Sequence, residues 1–457
     1  MAISASTVFE CRASGTGVAD TNGGGFVAGA SGTDYSQQNA PQYGYTNLAV
    51  DGTTNTKVTS ASHNFVAADV GNIMNISAGT GWTPGFYQIT SVASNAATLD
   101  RSPAATSTTG GTFAVGGALL TLGKLAGAMA ASNKAYITGT FTLTTGITMP
   151  TSSLLIGYTS SRTDLGKAIV NVGANITAIS SVYRIRNVTV DYQSTYSGTA
   201  ISTSAGNYST VTNVKCANMV GAASIGVLCS GSSVVSQSEF TGFNSSGNSY
   251  CVSAGGGGNL TVSGCWFHDN TTVSRAIFGG TSTSITNCLF TNSAGVGCSF
   301  SANSLCQNNT FYGGTVGAYV SLPEYCTIKN NIFANGSSYG MQGSSAYAAL
   351  PQFDGNAYYS NTSGNRNNLD DTSGINGVSP YTNVLEVILT ASPFVNAVGG
   401  DFTLNNTAGG GAACRGHGIP GTLPGSSLVG YRDFGVFQHQ DAGGLRLPRS
   451  WQGGYSG

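Results

Sequence analysis

Charged residues are scarce in this sequence. Asp, Glu, Lys and Arg make up 8% of its 457 residues, and the formal net charge is −1, whereas about a quarter of an ordinary globular protein is charged. No dense run of Lys and Arg is present to bind phosphates, so we expect no nucleic-acid partner. Disorder usually brings a high net charge. An apolar content of 40% and 66 glycines favour instead a folded β protein rich in turns.

Long apolar runs are lacking as well. The best of them, residues 115–131, is interrupted by Lys124 and is rich in Gly and Ala, so we expect no membrane-spanning segment. The first residues, MAISASTVFECRASG, have neither the basic nor the apolar region of a secretory signal. We therefore expect a protein that is made in a cytosol, unless an unusual export route exists.

Cysteine motifs are missing although cysteines are not. The ten cysteines include no CxxC pair and no Cys/His spacing typical of zinc sites. In a reducing cytosol they would remain thiols, and we expect them to behave as small buried hydrophobic residues. The cysteines give no reason to predict a metal or a cofactor.

What the sequence does have is a repeat. An aromatic position recurs at intervals of 21 to 27 residues, and it holds Phe240, Phe267, Phe290, Phe311 and Phe333. Two positions earlier, a second column holds Ser238, Cys265, Cys288, Asn309 and Asn331. Short β-prone runs such as TVSGCWF and TIKNNIF surround these positions, with Gly, Asn and Ser between them.

A period in the low twenties is typical of leucine-rich repeats and of β-solenoids. The recurring apolar residues are Phe, Ile, Val and Cys rather than a fixed set of leucines, which excludes the first architecture. In a solenoid, equivalent residues lie about 4.8 Å apart in successive coils. Such columns favour residues that interact with their own kind. We therefore predict a stack of Phe rings and an amide ladder that includes Asn309 and Asn331.

The units NNTFYGG, KNNIFANG and TNCLFTN resemble the right-handed parallel β-helix, or pectate-lyase-like, superfamily. Residues 116–164 resemble the start of such helices, where a short helix rich in Ala, Leu and Met covers the open end of the first coil. The resemblance implies an all-β fold with a short N-terminal cap helix. It leaves activity open, because this fold is found in lyases, hydrolases, adhesins and virus fibres.

Four regions are predicted along the chain. Residues 1–45 are expected to form an extended N-terminal arm that orders on a partner, residues 46–117 a small β domain, residues 118–395 the parallel β-helix, and residues 396–457 a C-terminal cap and tail. The stretches HNFVAADVGNIMNI and GFYQITSVASNAATLD resemble small modules that precede β-helices in bacteriophage tailspike-like and other virion proteins.

Few residues suggest chemistry. Glycosidases on this fold need two carboxylates about 5–9.5 Å apart in one groove, and most acidic residues here stand alone in their coil. Glu239 and Asp269 lie in successive coils, and with His268 they are the catalytic candidates, although a lone His beside an Asp is more often part of a surface turn than a general base. Asp370 and Asp371, in NRNNLDDTSG, are candidates for a cation site or simply part of a polar loop.

The first functional hypothesis is a non-enzymatic structural protein of a bacteriophage virion, either a capsid decoration or head fibre or a tail fibre or spike. It would be a homotrimer and would contact other virion proteins through its N-terminal arm, with a host-surface glycan as a candidate ligand. The alternative is a polysaccharide-degrading or glycan-binding tailspike. A bacterial adhesin is disfavoured by the missing export signal.

Overall fold

The computed structural model describes residues 3–206, 208–245, 247–255, 258–321, 325–344, 352–367, 369, 386–418, 421–422, 429–430 and 432–438. The chain divides into two compact units, Met1–Ala217 and Asn218–Gly457. Each unit contains coils that run through three sheets, which we number 1 to 3 in the order in which a coil passes through them. The coil strands pair in parallel, and Gly25–Val27 adds an antiparallel edge strand to sheet 1. The predicted all-β parallel β-helix is confirmed.

In the first unit, three sets of strands form the coils. Sheet 1 contains, in spatial order, Gly25–Val27, Thr7–Arg12, Lys134–Thr138, Leu154–Tyr158, Arg184–Arg186 and Ser209–Thr212. Sheet 2 contains Thr140–Leu143, Ala168–Val172, Val188–Asp191 and Lys215–Ala217. Sheet 3 contains Ile147–Thr148, Ile176–Val182 and Gly198–Thr203. The predicted cap helix is Leu122–Ala128, capped by the Thr121 side chain.

Part of the segment expected to form an extended N-terminal arm pairs with the coils. Thr7–Arg12 pairs in parallel with Lys134–Thr138 and is part of the first coil. Glu10 on this strand is fully buried, and Arg162 donates to it at 2.7 Å. Burial raises the pKa of Glu10, while the charge of Arg162 opposes that rise. An ion pair between residues so far apart in sequence leaves no local signal for a sequence-based prediction.

A closed six-stranded antiparallel barrel lies between the first strand and the cap helix. Its strands are Tyr43–Val50, Lys57–Ser60, Ile73–Ala78, Gly85–Ala93, Ala96–Leu99 and Gly111–Val115. Its core includes the buried side chains of Leu48, Ile76 and Phe113. Short 3-10 turns at Tyr35–Gln37 and Ala67–Asp69 border it. In the second of these turns Asp69 pairs with His63 at 3.2 Å, and burial lowers the pKa of His63 and raises that of Asp69.

The second unit contains the repeats found in the sequence. Sheet 1 contains Ser233–Ser236, Leu260–Ser263, Thr283–Thr286, Leu305–Gln307, Thr327–Lys329 and Gln352–Asp354. Sheet 2 contains Glu239–Thr241, Trp266–His268, Leu289–Thr291, Thr310–Tyr312, Ile332–Ala334, Ala357–Tyr359 and Val387–Ile388. Sheet 3 contains Ile225–Cys229, Tyr250–Ala254, Arg275–Phe278, Val296–Phe300, Val316–Val320, Tyr339–Gly343 and Gly364–Asn367.

The aromatic column lies on the inner side of sheet 2 in this unit. Neighbouring rings from Phe240 to Phe333 are nearly parallel, with centroids 4.5 to 5.0 Å apart. Glycines on sheet 3 face some of these rings. A Cβ on Gly317, for example, would lie 2.5 Å from Cδ1 of Phe333. Close packing therefore accounts for both the aromatic and the glycine positions of the repeat.

The corner between sheets 1 and 2 explains why two asparagines stand before the aromatic residue. The position of the first asparagine adopts the left-handed conformation in successive coils. Its φ lies between +50° and +59° whether the residue is Asn, Gln or Gly, at Gln237, Gly264, Asn287, Asn308, Asn330 and Gly355. Asn and Gly tolerate this conformation better than other residues. The second asparagine points inward. The side-chain oxygens of Asn309 and Asn331 accept backbone N–H groups one coil back, at 2.8 and 2.9 Å.

Residues 386–418 and 432–438 include a layer on the outer side of sheet 2. The Tyr312 ring packs edge-on against Phe394 and Phe402, whose strands Phe394–Asn396 and Asp401–Leu404 form a hairpin. Val436 donates its N–H to Thr310 Oγ1 at 3.1 Å. A 3-10 turn at Gly411–Ala413 and a two-stranded pair, Gly421–Thr422 with Val429–Gly430, complete the described part. The described part of this region therefore forms a side layer that covers apolar outer positions of the coils.

Candidate functional site

The structure brings Glu239, His268 and Asp269 together on sheet 2 of the second unit. The strands Glu239–Thr241 and Trp266–His268 pair in parallel, so that His268 lies beside Thr241. His268 Nε2 lies 3.2 Å from Glu239 Oε1, and its Nδ1 lies 2.7 Å from Asp269 Oδ2. The imidazole thus bridges two carboxylates from successive coils, even though their offsets in the repeat differ.

This cluster is partly open to solvent. The side chain of His268 is 12% exposed, that of Glu239 26% and that of Asp269 61%. The Trp266 ring stacks on the imidazole with centroids 3.8 Å apart. Trp266 also packs against the apolar cluster beneath the C-terminal layer. The cluster therefore lies at the border of the covered part of sheet 2.

The fold gives Asp269 a structural role of its own. It occupies the corner between sheets 2 and 3 with φ of +53°, and Asn292, Gly313 and Asn335 occupy this corner with positive φ in the following coils. Its Oδ1 accepts a hydrogen bond from Asn292 Nδ2 at 3.3 Å. A residue that tolerates the left-handed conformation is required here whether or not any chemistry takes place.

The chemistry open to this arrangement is proton exchange between His268 and its two carboxylates. Both ring nitrogens already face a carboxylate oxygen, so neither is directed at a metal or at a substrate. Among the described residues, no group of three or more His, Cys, Asp or Glu is arranged to hold a metal ion. Asp370 and Asp371, the predicted cation candidates, lie outside the described residues.

Sequence reasoning missed a second acidic group, Glu386. It pairs with Arg366 at 2.6 Å and accepts the Tyr358 hydroxyl at 3.0 Å. Arg366 stands in the column of Met341, whose side chain is fully buried, so the guanidinium occupies an inner position of its coil. The Arg366 side chain is 16% exposed, and Glu386 supplies the counter-charge for it. Nothing in the local sequence of either residue marks the other as its partner.

The ten cysteines are all free and buried. Burial raises the pKa of the Cys229 thiol to about 12 and that of Cys326 to about 11. Thiols of this kind are poor nucleophiles and poor metal ligands, because the thiolate is the reactive form. None of the helices in the described residues is long and apolar enough to span a membrane.

Stacked parallel coils with inward columns define the class of protein as a parallel β-helix. A family model described as "Right handed beta helix region" matches residues 225–379, which include most of the described coils of the second unit. The tailspike protein gp49 from Pseudomonas phage LKA1 is similar to 71% of this chain, at 10% identity and a TM-score of 0.15. The match covers 60% of that protein. No protein of curated function matches the sequence.

Proposed function

We propose that the protein is a non-enzymatic structural component of a bacteriophage virion. It would use the coils as a rigid body, attached through its N-terminal region and assembled as a homotrimer. The observation that supports this most is how the second unit is held together. Its Phe and Asn columns repeat the same contacts from coil to coil, and each coil is fixed by both of its neighbours.

The use of charge in the described residues agrees with a structural role. Glu10 pairs with Arg162 and Glu386 with Arg366, and in both pairs the arginine supplies the counter-charge for a largely buried carboxylate. Low surface charge also reduces repulsion between copies that pack side by side. A component of an assembly benefits from both properties.

The test is the copy number of the chain in purified virions of the bacteriophage whose genome encodes it. The copy number is measured by quantitative mass spectrometry with isotope-labelled peptides. Many copies per particle would support capsid decoration, and a few would support a fibre or spike. Absence from purified particles, with the chain present in the lysate, would contradict the proposal.

The second candidate function is a polysaccharide-degrading tailspike, and the carboxylate–His268–carboxylate bridge is the observation that favours it. If this alternative holds, Glu239→Gln and Asp269→Asn should each lower depolymerisation of a host capsule or exopolysaccharide by about 100-fold, as expected for loss of a general acid or base. Asp354→Asn, a partly exposed carboxylate on sheet 1, is the matched control. Unchanged release of reducing ends by the first two variants would exclude a catalytic role for the cluster.

A further inference from the structure

Four side chains form a row at the surface of sheet 3 in the second unit. The rings of Tyr250 and Phe278 stack with centroids 4.9 Å apart. Cζ of Arg275 lies 5.1 Å from the centroid of Phe278 and 5.7 Å from that of Tyr319. All four side chains belong to partly exposed residues. The row is therefore accessible from solvent along one side.

The strand register explains how Arg275 enters this row. Phe278, Ser299 and Tyr319 occupy one column in three successive coils. Ser299 is small and buried, so it leaves a gap between two rings that are two coils apart. The guanidinium of Arg275 contacts both rings and fills that gap. It takes the place that an aromatic ring would otherwise occupy.

This position restricts how Arg275 can bind anything else. Its Cζ lies within cation–π distance of both Phe278 and Tyr319, and its N–H donors lie in the plane of the guanidinium. Within the described residues, no Asp or Glu is placed against Arg275. A permanent positive charge is thus held at a partly exposed position between two aromatic rings.

We propose that Arg275 is the anion-binding residue of a surface site on sheet 3, and that the site takes a carboxylate-bearing ligand. A carboxylate can accept two parallel N–H bonds from a guanidinium in one plane. A tetrahedral oxyanion can place only two of its oxygens in that plane at a time. The site would function in a virion protein or in a free one, so it does not depend on the function proposed above.

The experiment follows the Nε–Hε signal of Arg275 by NMR in the full ¹⁵N-labelled chain while sodium glucuronate is added at constant ionic strength. Glucose is the neutral probe and inorganic phosphate the tetrahedral one. Arg275→Gln removes the charge, and Arg275→Lys keeps the charge but loses the planar donors. Arg186→Gln, at an exposed arginine on sheet 1 of the first unit, is the control for non-specific attraction. Binding to the variants is followed through backbone amides of sheet 3.

The proposal expects saturable binding of glucuronate, no binding of glucose and weaker binding of phosphate. Arg275→Gln should lower the affinity about tenfold or more, since charged hydrogen bonds are lost, and Arg186→Gln should leave it unchanged. If Arg275→Gln does not fold, the test rests on Arg275→Lys, whose folding is confirmed by thermal unfolding. Arg275→Lys should also bind glucuronate more weakly than the wild type. Equal affinity in wild type and Arg275→Lys, glucose binding as tightly as glucuronate, or no saturation would each overturn the proposal.

Discussion

Asn309 donates a side-chain hydrogen bond of 3.0 Å to the side-chain oxygen of Asn331, and Asn331 donates one of the same length to Asn356 in the next coil. All three amides are fully buried. Each also donates to a backbone carbonyl of the coil before it. The ladder therefore satisfies buried polar groups that the corner between sheets 1 and 2 would otherwise leave without partners.

Replacing Asn331 should be strongly destabilising. Asn331→Ala leaves the Asn309 N–H and the Cys306 carbonyl without their partners, and each buried unpaired group costs about 1–3 kcal/mol. We expect a loss of about 3 kcal/mol, measured as a lower urea midpoint at unchanged slope. Thr261→Ala, on the outer side of sheet 1, is the control and should change the midpoint little. Equal midpoints for the two variants would contradict a stabilising ladder.

The left-handed position at the corner between sheets 1 and 2 allows a test of backbone conformation. Asn287 is exposed and has φ of +54°. Asn287→Gly should be nearly neutral, whereas Asn287→Val should cost about 1–2 kcal/mol, because a Cβ disfavours the left-handed region. Chemical denaturation of the two proteins side by side provides the comparison. If valine is tolerated as well as glycine, the corner does not require this conformation.

The aromatic stack should be sensitive to cavities. The ring of Phe290 lies 4.8 Å from that of Phe267 and 4.5 Å from that of Phe311. Phe290→Ala should destabilise the protein by about 3–5 kcal/mol through lost burial and the cavity left behind. Phe290→Leu keeps most of the volume and should cost about 1 kcal/mol. Thermal unfolding followed by circular dichroism separates the two, and a reversed order would argue against close ring packing.

Asp164 should make the first unit sensitive to acid. Its carboxylate accepts backbone N–H groups from Ser160 and Ser161, and these bonds lower its pKa below the ordinary value of 3.8. A lowered native pKa means that the stabilisation is present above about pH 4 and decreases as the pH falls below that value. Asp164→Asn should therefore show a smaller loss of thermal midpoint between pH 5 and pH 3, to be measured by scanning calorimetry. An unchanged pH profile would mean that other groups dominate.

The thiols should report on opening of the coils. Because burial raises the pKa of Cys229 and Cys326 to about 12 and about 11, alkylation at pH 8 should be slow in the folded protein and fast in urea. Peptide mass spectrometry after timed exposure to iodoacetamide gives the rate at each cysteine. Rapid modification of most cysteines under native conditions would show that the stack opens readily.

The repeat made part of the fold predictable. Recurring Phe and Asn positions indicated stacked coils, because residues in a column contact copies of themselves. The sequence did not reveal that the first Asn of each pair has a left-handed backbone, since Asn is common both at corners and in ladders. The ion pair of Glu10 with Arg162 and the side layer at Tyr312 depend on contacts between distant segments, and such contacts leave no periodic pattern.

The candidate site was predictable to a similar extent. Glu239, His268 and Asp269 could be chosen because they are ionisable residues in adjacent repeats. Asp269 follows His268 directly in the chain. Glu239 reaches His268 because their strands pair in a fixed register between adjacent coils, and the spacing in the sequence predicts that register only approximately. Predicting the position of Arg275 between two rings would have required the register of three coils and the small size of Ser299. No single repeat contains that information.

The pairing of Thr7–Arg12 with Lys134–Thr138 has a consequence for folding during synthesis. The first strand leaves the ribosome well before its partner exists, and at about 5–20 residues per second the delay is roughly 6 to 25 seconds. The barrel strands, from Tyr43–Val50 to Gly111–Val115, are all translated within this interval. The barrel can therefore form first and keep the nascent strand close to the place where the first coil will close.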